Sequence, residues 1–468
     1  MGTTLQEKCG IFGVIGKGFE AARLVHPGLW ALQHRGQESS GIASSDGKKI
    51  YLHKGMGLVA HVFAESDLRK LKGYLAIGHN RYSTSGSSIV SHAQPILEKV
   101  NGKFVALVHN GNLPSTKKLE ELLKSEKIST KGLNDSEMIA KAIAFYARNL
   151  SLEEAIKKAY PLFTGVFCLL VMSENKLIAL RDNFGIRPLV LGQLNNGYII
   201  SSETCALDTI GAKFLREVKP GEMIVIDERD LQSIQIEKGQ QKLDVFEYVY
   251  FARPDSYILG KSVDEVRQNL GMELARENGI KADIVIPVPD SAISAALGFS
   301  RESKIPFYLG LIKNRYIHRT FISPEAHTRH NIVQLKLNPM KHVLSGKRVI
   351  VIDDSIVRGT TSKQIIKMIK DAGAKEVHLL ISSPPVKFPD FYGIDTPNQK
   401  DLIAAVNNIK QIETKLGVDS LHYLSYQGLI KAVGLSEDLL CTSCFTGDYP
   451  VDIGERKKEI TYDVEKQS

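Results

Sequence analysis

Residues 347–382 read as strand, polar turn, helix and strand in unbroken succession, an order that few folds accommodate. Lys347–Ile352 is a short apolar run, and Val377–Ser382 is a second. Between them, Ser362–Ala372 carries Ile365, Ile366 and Ile369 on one helical face, with Gly373 at its expected stop. Strand, helix, strand at this spacing is a parallel βαβ unit, whose ligands lie beyond the carboxyl ends of the strands. The turn is the most informative string in the chain: Asp353-Asp354-Ser355-Ile356-Val357-Arg358-Gly359-Thr360-Thr361-Ser362. Backbone N–H groups from Arg358 to Thr361, with two threonine hydroxyls, fall at a helix N-terminus and suit a phosphate monoester. The two carboxylates suit neighbouring hydroxyls with a divalent cation close by. A ribose 5-phosphate offers both. The competing reading, a solvated acidic turn with a capped helix, suits a lone Asp-Asp better than this whole string between this strand and this helix.

Two further segments point the same way. Ala282–Val288 reads as a strand followed by an Ala-rich helix from Ala292, and Val288-Pro289-Asp290-Ser291 closes that strand where Ser291 can face a metal-bound pyrophosphate. Asn314–Lys336 is a long polar segment holding Arg315, His318, Arg319, Arg329, His330 and Lys336, which as a unit suits a lid over an anionic substrate.

The first half has a different texture. Short apolar or alternating runs at Tyr74–Gly78, Lys103–Val108, Val166–Met172, Leu177–Leu180 and Met223–Ile226 predict strands, with helices near 115–125 and 135–148. The polar stretch Glu228–Lys242 reads as a linker or domain edge. At 468 residues, 43% hydrophobic and 24% charged, the chain is an ordinary globular protein of two domains. Five cysteines in so long a chain argue against a disulfide framework and for the cytoplasm. A net charge of +8 without a clustered basic stripe favours a small anionic ligand over nucleic acid. No apolar run approaches a membrane span.

Cys9-Gly10-Ile11-Phe12-Gly13-Val14 opens a strand-like run after eight residues with no apolar core. A cysteine there is by default a small buried residue. Removal of Met1–Lys8, read as a propeptide, would give Cys9 a free α-amine with an ordinary pKa of about 7.7–8.0, able to act as base for its own thiol.

The companions of Cys9 are Leu32-Gln33-His34-Arg35-Gly36-Gln37-Glu38-Ser39, Gly78-His79-Asn80-Arg81-Tyr82-Ser83-Thr84, His109-Asn110-Gly111-Asn112 and Asn134-Asp135-Ser136-Glu137. In that order they resemble the glutaminase half of the N-terminal-nucleophile (class II) amidotransferases. The 353–362 string resembles the phosphoribosyl pyrophosphate signature of the type I phosphoribosyltransferases. Both halves in one chain, with Arg181–Leu189 and Ser201–Thr204 between them, resemble the amidophosphoribosyltransferase family.

That resemblance implies an αββα sandwich of two antiparallel sheets, followed by a doubly wound parallel sheet. It places the glutaminase in 9–235, the phosphoribosyltransferase in 245–440 and a C-terminal segment in 441–468. Cys9 is then the nucleophile, with Asn110 and Gly111 forming the oxyanion hole. Arg81, Thr84 and Asp135 hold glutamine. Asp353, Asp354, Arg358, Gly359, Thr360, Thr361 and Lys336 hold phosphoribosyl pyrophosphate, with magnesium near Ser291, Asp353 and Asp354. The resemblance also implies purine-nucleotide inhibitors and a homo-oligomer, dimer or tetramer. Gln334 stands where relatives are expected to carry Arg.

Two rival functions share these motifs: transfer of ammonia to another acceptor, such as a sugar phosphate, and regulation by sensing phosphoribosyl pyrophosphate. The first is opposed by the 353–362 string and the second by an intact Cys9 with its companions. One branch of the family carries an iron–sulfur cluster on four cysteines. Here Cys441 and Cys444 remain, while Asp244 and Asp390 fill the other two places. Either the pair is a relic, or the four residues bind a structural metal, with the carboxylates favouring zinc over an ordinary cubane.

Overall fold

The computed structural model describes residues 9–82, 90–314, 336–393 and 398–461. Among these, the first half forms two antiparallel sheets packed face to face. The first has seven strands, in the order Lys213–Glu217, Val190–Leu194, Gly197–Ser201, Gly10–Ile15, Leu75–Arg81, Ser39–Ser45 and Ile50–Met56. The second has six, in the order Leu231–Gln235, Glu222–Ile226, Leu177–Arg181, Thr164–Met172, Lys103–Ser115 and Ile96–Val100.

Period-two alternation explains the layering, because successive side chains of a strand leave on opposite faces. Ile11 and Ile15 point between the sheets with Ile77, Val108, Cys168, Leu170 and Ile224. Phe12 and Val14 point outward, against Val25 and Leu29 of the helix Ala21–Ala31. On the other side Phe167, Leu169 and Val171 pack against Leu119, Ile139 and Ile156 of three helices. Helix, sheet, sheet, helix is therefore the expected αββα order.

The second half is built on a parallel sheet of Ile284–Pro287, Arg348–Asp353, Glu376–Ile381 and Ser420–Tyr423, in that spatial order. Phe307 bridges in parallel to Val285 on the far side of Ile284–Pro287. One face packs on the helices Val263–Glu277, Ile293–Ser303 and Tyr426–Val433. The other packs on Thr360–Asp371 and Ile409–Leu416, with Ile365, Ile366 and Ile369 facing inward. The chain thus leaves Ile284–Pro287 toward one side and returns to its other side at Arg348–Asp353. That reversal opens a crevice between their carboxyl ends.

The polar stretch Glu228–Lys242 is more than a linker: Leu231–Gln235 pairs with Glu222–Ile226 as the outermost strand of its sheet. Ser233 and two glutamines fill this strand, since an edge strand with one solvated face needs little apolar content.

A chain of buried charges joins the halves. Arg35 donates through Nε to Glu203 and through Nη2 to Glu247 Oε2, the latter at 2.5 Å. Arg187 Nη1 donates to Glu247 Oε1 at 2.9 Å, and its Nη2 lies 2.8 Å from Asp244 Oδ2. Burial opposes the Glu203 charge, yet Arg35 and His34 hold its carboxyl well below the usual carboxylate range. An apolar cluster lies at the same junction, with Val166 and Ile186 of the first half against Phe391, Tyr392, Val451 and Ile453 of the second. Glu247→Ala should leave two buried guanidinium groups each short of one carboxylate and cost about 3–5 kcal/mol, read as a lowered urea midpoint. An unchanged midpoint would remove this chain from the stability of the junction.

Candidate functional site

The candidate side chains fall into two groups, one in each half of the chain. The first surrounds Cys9, which is half-buried just before the central strand Gly10–Ile15. Gly10 is in register with Asn80, so the adjacent strand delivers Arg81 beside it. Arg81 is buried, with Nη1 4.0 Å from Glu38 Oε1. Gly36 makes this approach feasible, since a Cβ there would sit 2.7 Å from the Asn80 and Arg81 backbone.

Asn110 and Gly111 lie on Lys103–Ser115 in the facing sheet. The Asn110 side-chain amide is fully buried, and neither Oδ1 nor Nδ2 has a hydrogen-bond partner among the described residues. Such a group carries a desolvation penalty of about 1–3 kcal/mol unless a ligand meets it. Gly111 is compulsory, because a Cβ there would lie 2.0 Å from the Val166 carbonyl oxygen. Asp135 opens the helix Asp135–Tyr146, which Asn134 and Glu137 cap reciprocally. Its Oδ2 accepts from Leu113 N at 3.2 Å, and its Oδ1 from Ser136 N at 2.8 Å.

The charges of Arg81, Asp135 and Glu38 all bear on the Cys9 thiol. Burial dominates and pushes that thiol up to about 11, although a backbone hydrogen bond with Tyr82 and the Arg81 charge oppose it. Arg81 and Asp135 supply one fixed charge of each sign for a zwitterion, and the Asn110 amide and Gly111 N–H are donors for an oxyanion. Thr84 lies outside the described residues. Gln94 was missed by sequence reasoning: its Oε1 accepts from His109 N at 2.6 Å, from a segment with no motif to mark it.

The second group lies in the crevice of the parallel sheet. Asp353 ends the strand Arg348–Asp353, and Gly359, at φ +76°, turns the chain into the helix Thr360–Asp371. Asp354 is buried and accepts from Ser291 Oγ at 2.5 Å and Ser355 Oγ at 2.7 Å. Ser291 belongs to the opposite lip, after Ile284–Pro287. Burial raises both carboxyls, and for Asp353 the neighbouring Asp354 adds to the rise. Arg358 lies at the loop, its Nη2 4.0 Å from Asp401 Oδ2. Lys336 returns the chain to the described fold, its carbonyl accepting from Asn314 N at 2.8 Å. Arg315, His318, Arg319, Arg329, His330 and Gln334 lie outside the described residues.

Asp244, Asp390, Cys441 and Cys444 are all buried, and Asp244 pairs in register with Cys441. The charges of both carboxylates bear on both thiols. Burial pushes Asp244 up to about 7 and Cys441 up to about 12, with the Arg187 charge opposing the rise at Asp244. Arg187 supplies the positive charge that faces Asp244. Among the described residues no group of three or more His, Cys, Asp or Glu is arranged to hold a metal ion. Asp244 is already paired with the Arg187 guanidinium, which does not fit its expected part as a ligand of an iron–sulfur cluster or zinc.

Comparison with known proteins matches both halves of the chain. A glutamine amidotransferase domain family matches residues 79–209, and a phosphoribosyl transferase domain family matches 260–383. An amidophosphoribosyltransferase of Synechococcus elongatus is 49% identical over 459 residues, covering 97% of this chain and 93% of the relative. One from Bacillus subtilis is 44% identical over 455 residues, covering 96% and 95%. Among solved structures, the B. subtilis glutamine phosphoribosylpyrophosphate amidotransferase complexed with ADP and GMP superposes with a TM-score of 0.89. It is 43% identical and covers 95% of this chain and 98% of that one. A structure described as the allosteric regulatory enzyme of purine biosynthesis gives 0.91 at 42% identity, covering 98% and 99%.

Dialysis against EDTA should leave the thermal midpoint unchanged, and a fall would show that a metal ties the Cys441 region after all. In chain retaining residues 1–8, alkylation of Cys9 should quicken about tenfold per pH unit until the pH nears about 11. A plateau near pH 8 would mean that the thiol is not held up by burial.

Proposed function

The chain belongs to the amidophosphoribosyltransferase family, enzymes of the first step of purine biosynthesis, and on that premise we propose how its residues divide the reaction between two sites. Residues 9–235 cleave glutamine, and residues 245–440 transfer the ammonia. Removal of Met1–Lys8 frees the Cys9 amine, which takes the thiol proton as Sγ attacks the glutamine side-chain carbon. The oxyanion meets Asn110 Nδ2–H and Gly111 N–H. As the C–N bond breaks, ammonia leaves and a glutamyl thioester remains, which water then cleaves to glutamate. Arg81 binds the substrate carboxylate and Asp135 its ammonium, with Thr84 lining the pocket. The observation that carries this reading is the buried Asn110 amide without a partner, beside a glycine that admits no side chain.

In the crevice, ammonia attacks C1 of phosphoribosyl pyrophosphate as the C1–O bond to pyrophosphate breaks, giving 5-phosphoribosylamine. Asp353 and Asp354 orient the ribose hydroxyls, residues from Arg358 to Thr361 hold the 5-phosphate, and Lys336 faces the departing pyrophosphate. Phosphoribosyltransferases generally use magnesium. The oxygen donors Asp353, Asp354 and Ser291 fit that hard cation, which would supply neutralisation of the leaving-group charge. Purine nucleotides are the natural inhibitors, in line with the ADP and GMP of the B. subtilis structure, and the working form is a homo-oligomer. The cysteines are all free, which supports a reducing, cytoplasmic setting. Among the described residues no helix is long and apolar enough to cross a membrane.

Cys9→Ala should abolish glutamine-dependent synthesis and leave ammonia-dependent synthesis intact. Equal loss with both nitrogen sources would sink the two-site division. Asp353→Asn or Asp354→Asn should cut synthesis from either source by about tenfold or more while glutamine hydrolysis persists. Unchanged kinetics in both variants would return this pair to a structural turn.

A further inference from the structure

Behind the proposed oxyanion hole lies a set of buried polar groups that the reaction, as described, does not use. His109 immediately precedes Asn110 and is buried, as are Gln94 and Ser136. Gln94 Oε1 accepts from His109 N at 2.6 Å, and Gln94 Nε2 donates to Ser136 Oγ at 3.3 Å. His109 Nδ1 meets the same Ser136 Oγ at 2.9 Å. Ser136 is bonded in turn to Asp135 Oδ1, through its N–H at 2.8 Å and its hydroxyl at 3.4 Å. From the facing sheet, His79 Nε2 donates to the His109 carbonyl at 3.1 Å. The backbone of His109 is therefore fixed at both its N–H and its carbonyl, and its ring is tied to the residue after Asp135.

We propose that His109, with Gln94 and Ser136, is a positioning node that locks the oxyanion donors Asn110 and Gly111 to the ammonium-binding Asp135 in one frame. The proposal rests on the glutaminase reading above and adds residues that act through others without touching substrate. Its physical basis is preorganisation: donors aimed at a developing charge are effective only when held in place before the charge appears. A shift of about 1 Å at such a site costs on the order of a hundredfold in rate. A buried imidazole in this position invites a second reading as the base for Cys9. Its Nδ1 is engaged by Ser136, which opposes that role, while Asp135 Oδ2, 3.9 Å from Nδ1, favours it; His79 occupies the carbonyl side. Burial holds the imidazole below its ordinary range, with Asp135 opposing.

The test uses processed full-length chain and measures glutamine-dependent and ammonia-dependent synthesis side by side. His109→Ala, Ser136→Ala and Gln94→Ala should each lower glutamine-dependent kcat/KM by about ten- to a hundredfold, raising KM and lowering kcat together, while ammonia-dependent synthesis stays within about twofold. His109→Asn keeps an N–H near the Nδ1 position and should recover most of the loss with the parental pH profile. The proposal is overturned if His109→Asn is as inactive as His109→Ala and loses the acid limb of the profile, since the imidazole would then be the base. Parental kinetics in Ser136→Ala would overturn it equally, and that variant decides the question if His109→Ala does not fold. Absence of glutamine hydrolysis in the unsubstituted chain would be a failure of the glutaminase reading itself, distinguishable because it precedes any substitution.

Discussion

Five buried charged side chains, Arg35, Glu203, Glu247, Arg187 and Asp244, set the relation between the two halves of the chain. A buried charge is tolerated only when paired, so each of these groups requires its neighbour to be present at a fixed distance. Arg35 and Arg187 come from the first half and Glu247 from the start of the second, and Glu247 accepts from both arginines. The junction therefore has one favourable arrangement, and a sliding interface would leave charges stranded in apolar surroundings. Arg35 directly precedes Gly36, whose missing side chain lets Arg81 approach. The turn that secures the junction is the same turn that backs the proposed glutamine pocket.

The two sites are made by different uses of backbone geometry. In the sandwich, the proposed reacting groups come from the ends of Gly10–Ile15 and Leu75–Arg81, from within the facing strand Lys103–Ser115 and from the capped helix bearing Asp135. Fixed polar atoms converge from both sheets there. In the parallel sheet, the reversal of strand order opens a crevice, and the helix Thr360–Asp371 turns its N-terminal amides toward it. The first design suits a small zwitterion held at both ends. The second suits a phosphate and a pair of hydroxyls.

Much of this was legible in the sequence because the chain states it locally. The strand Lys347–Ile352, the acidic turn and the helix face of Ile365, Ile366 and Ile369 recur in the structure within two residues. Cys9, Arg81, Asn110, Gly111 and Asp135 stand in short motifs, and the fold brings their elements together. Leu231–Gln235 was illegible as a strand because its solvated face carries no apolar alternation. Gln94 carries no local signal, since its role depends on a backbone amide on another strand. The pairing of Arg187 with Asp244 was equally hidden. Spacing cannot reveal that a guanidinium from the first half pairs with one of the four candidate ligands.

The strand that bears Asn110 and Gly111 does not end within its own half. Asn112 Nδ2 donates to the Phe391 carbonyl at 2.8 Å, and Val166, whose carbonyl abuts Gly111, shares an apolar cluster with Phe391, Tyr392 and Val451. One wall of the proposed amide-cleaving pocket is thus finished by a residue 279 positions downstream. The two catalytic units are not interchangeable modules on a tether. A foreign ammonia-accepting partner grafted after residue 235 would have to reproduce this buttress before the glutaminase regained its shape, so recombination within the family would be constrained by the seam more than by either chemistry.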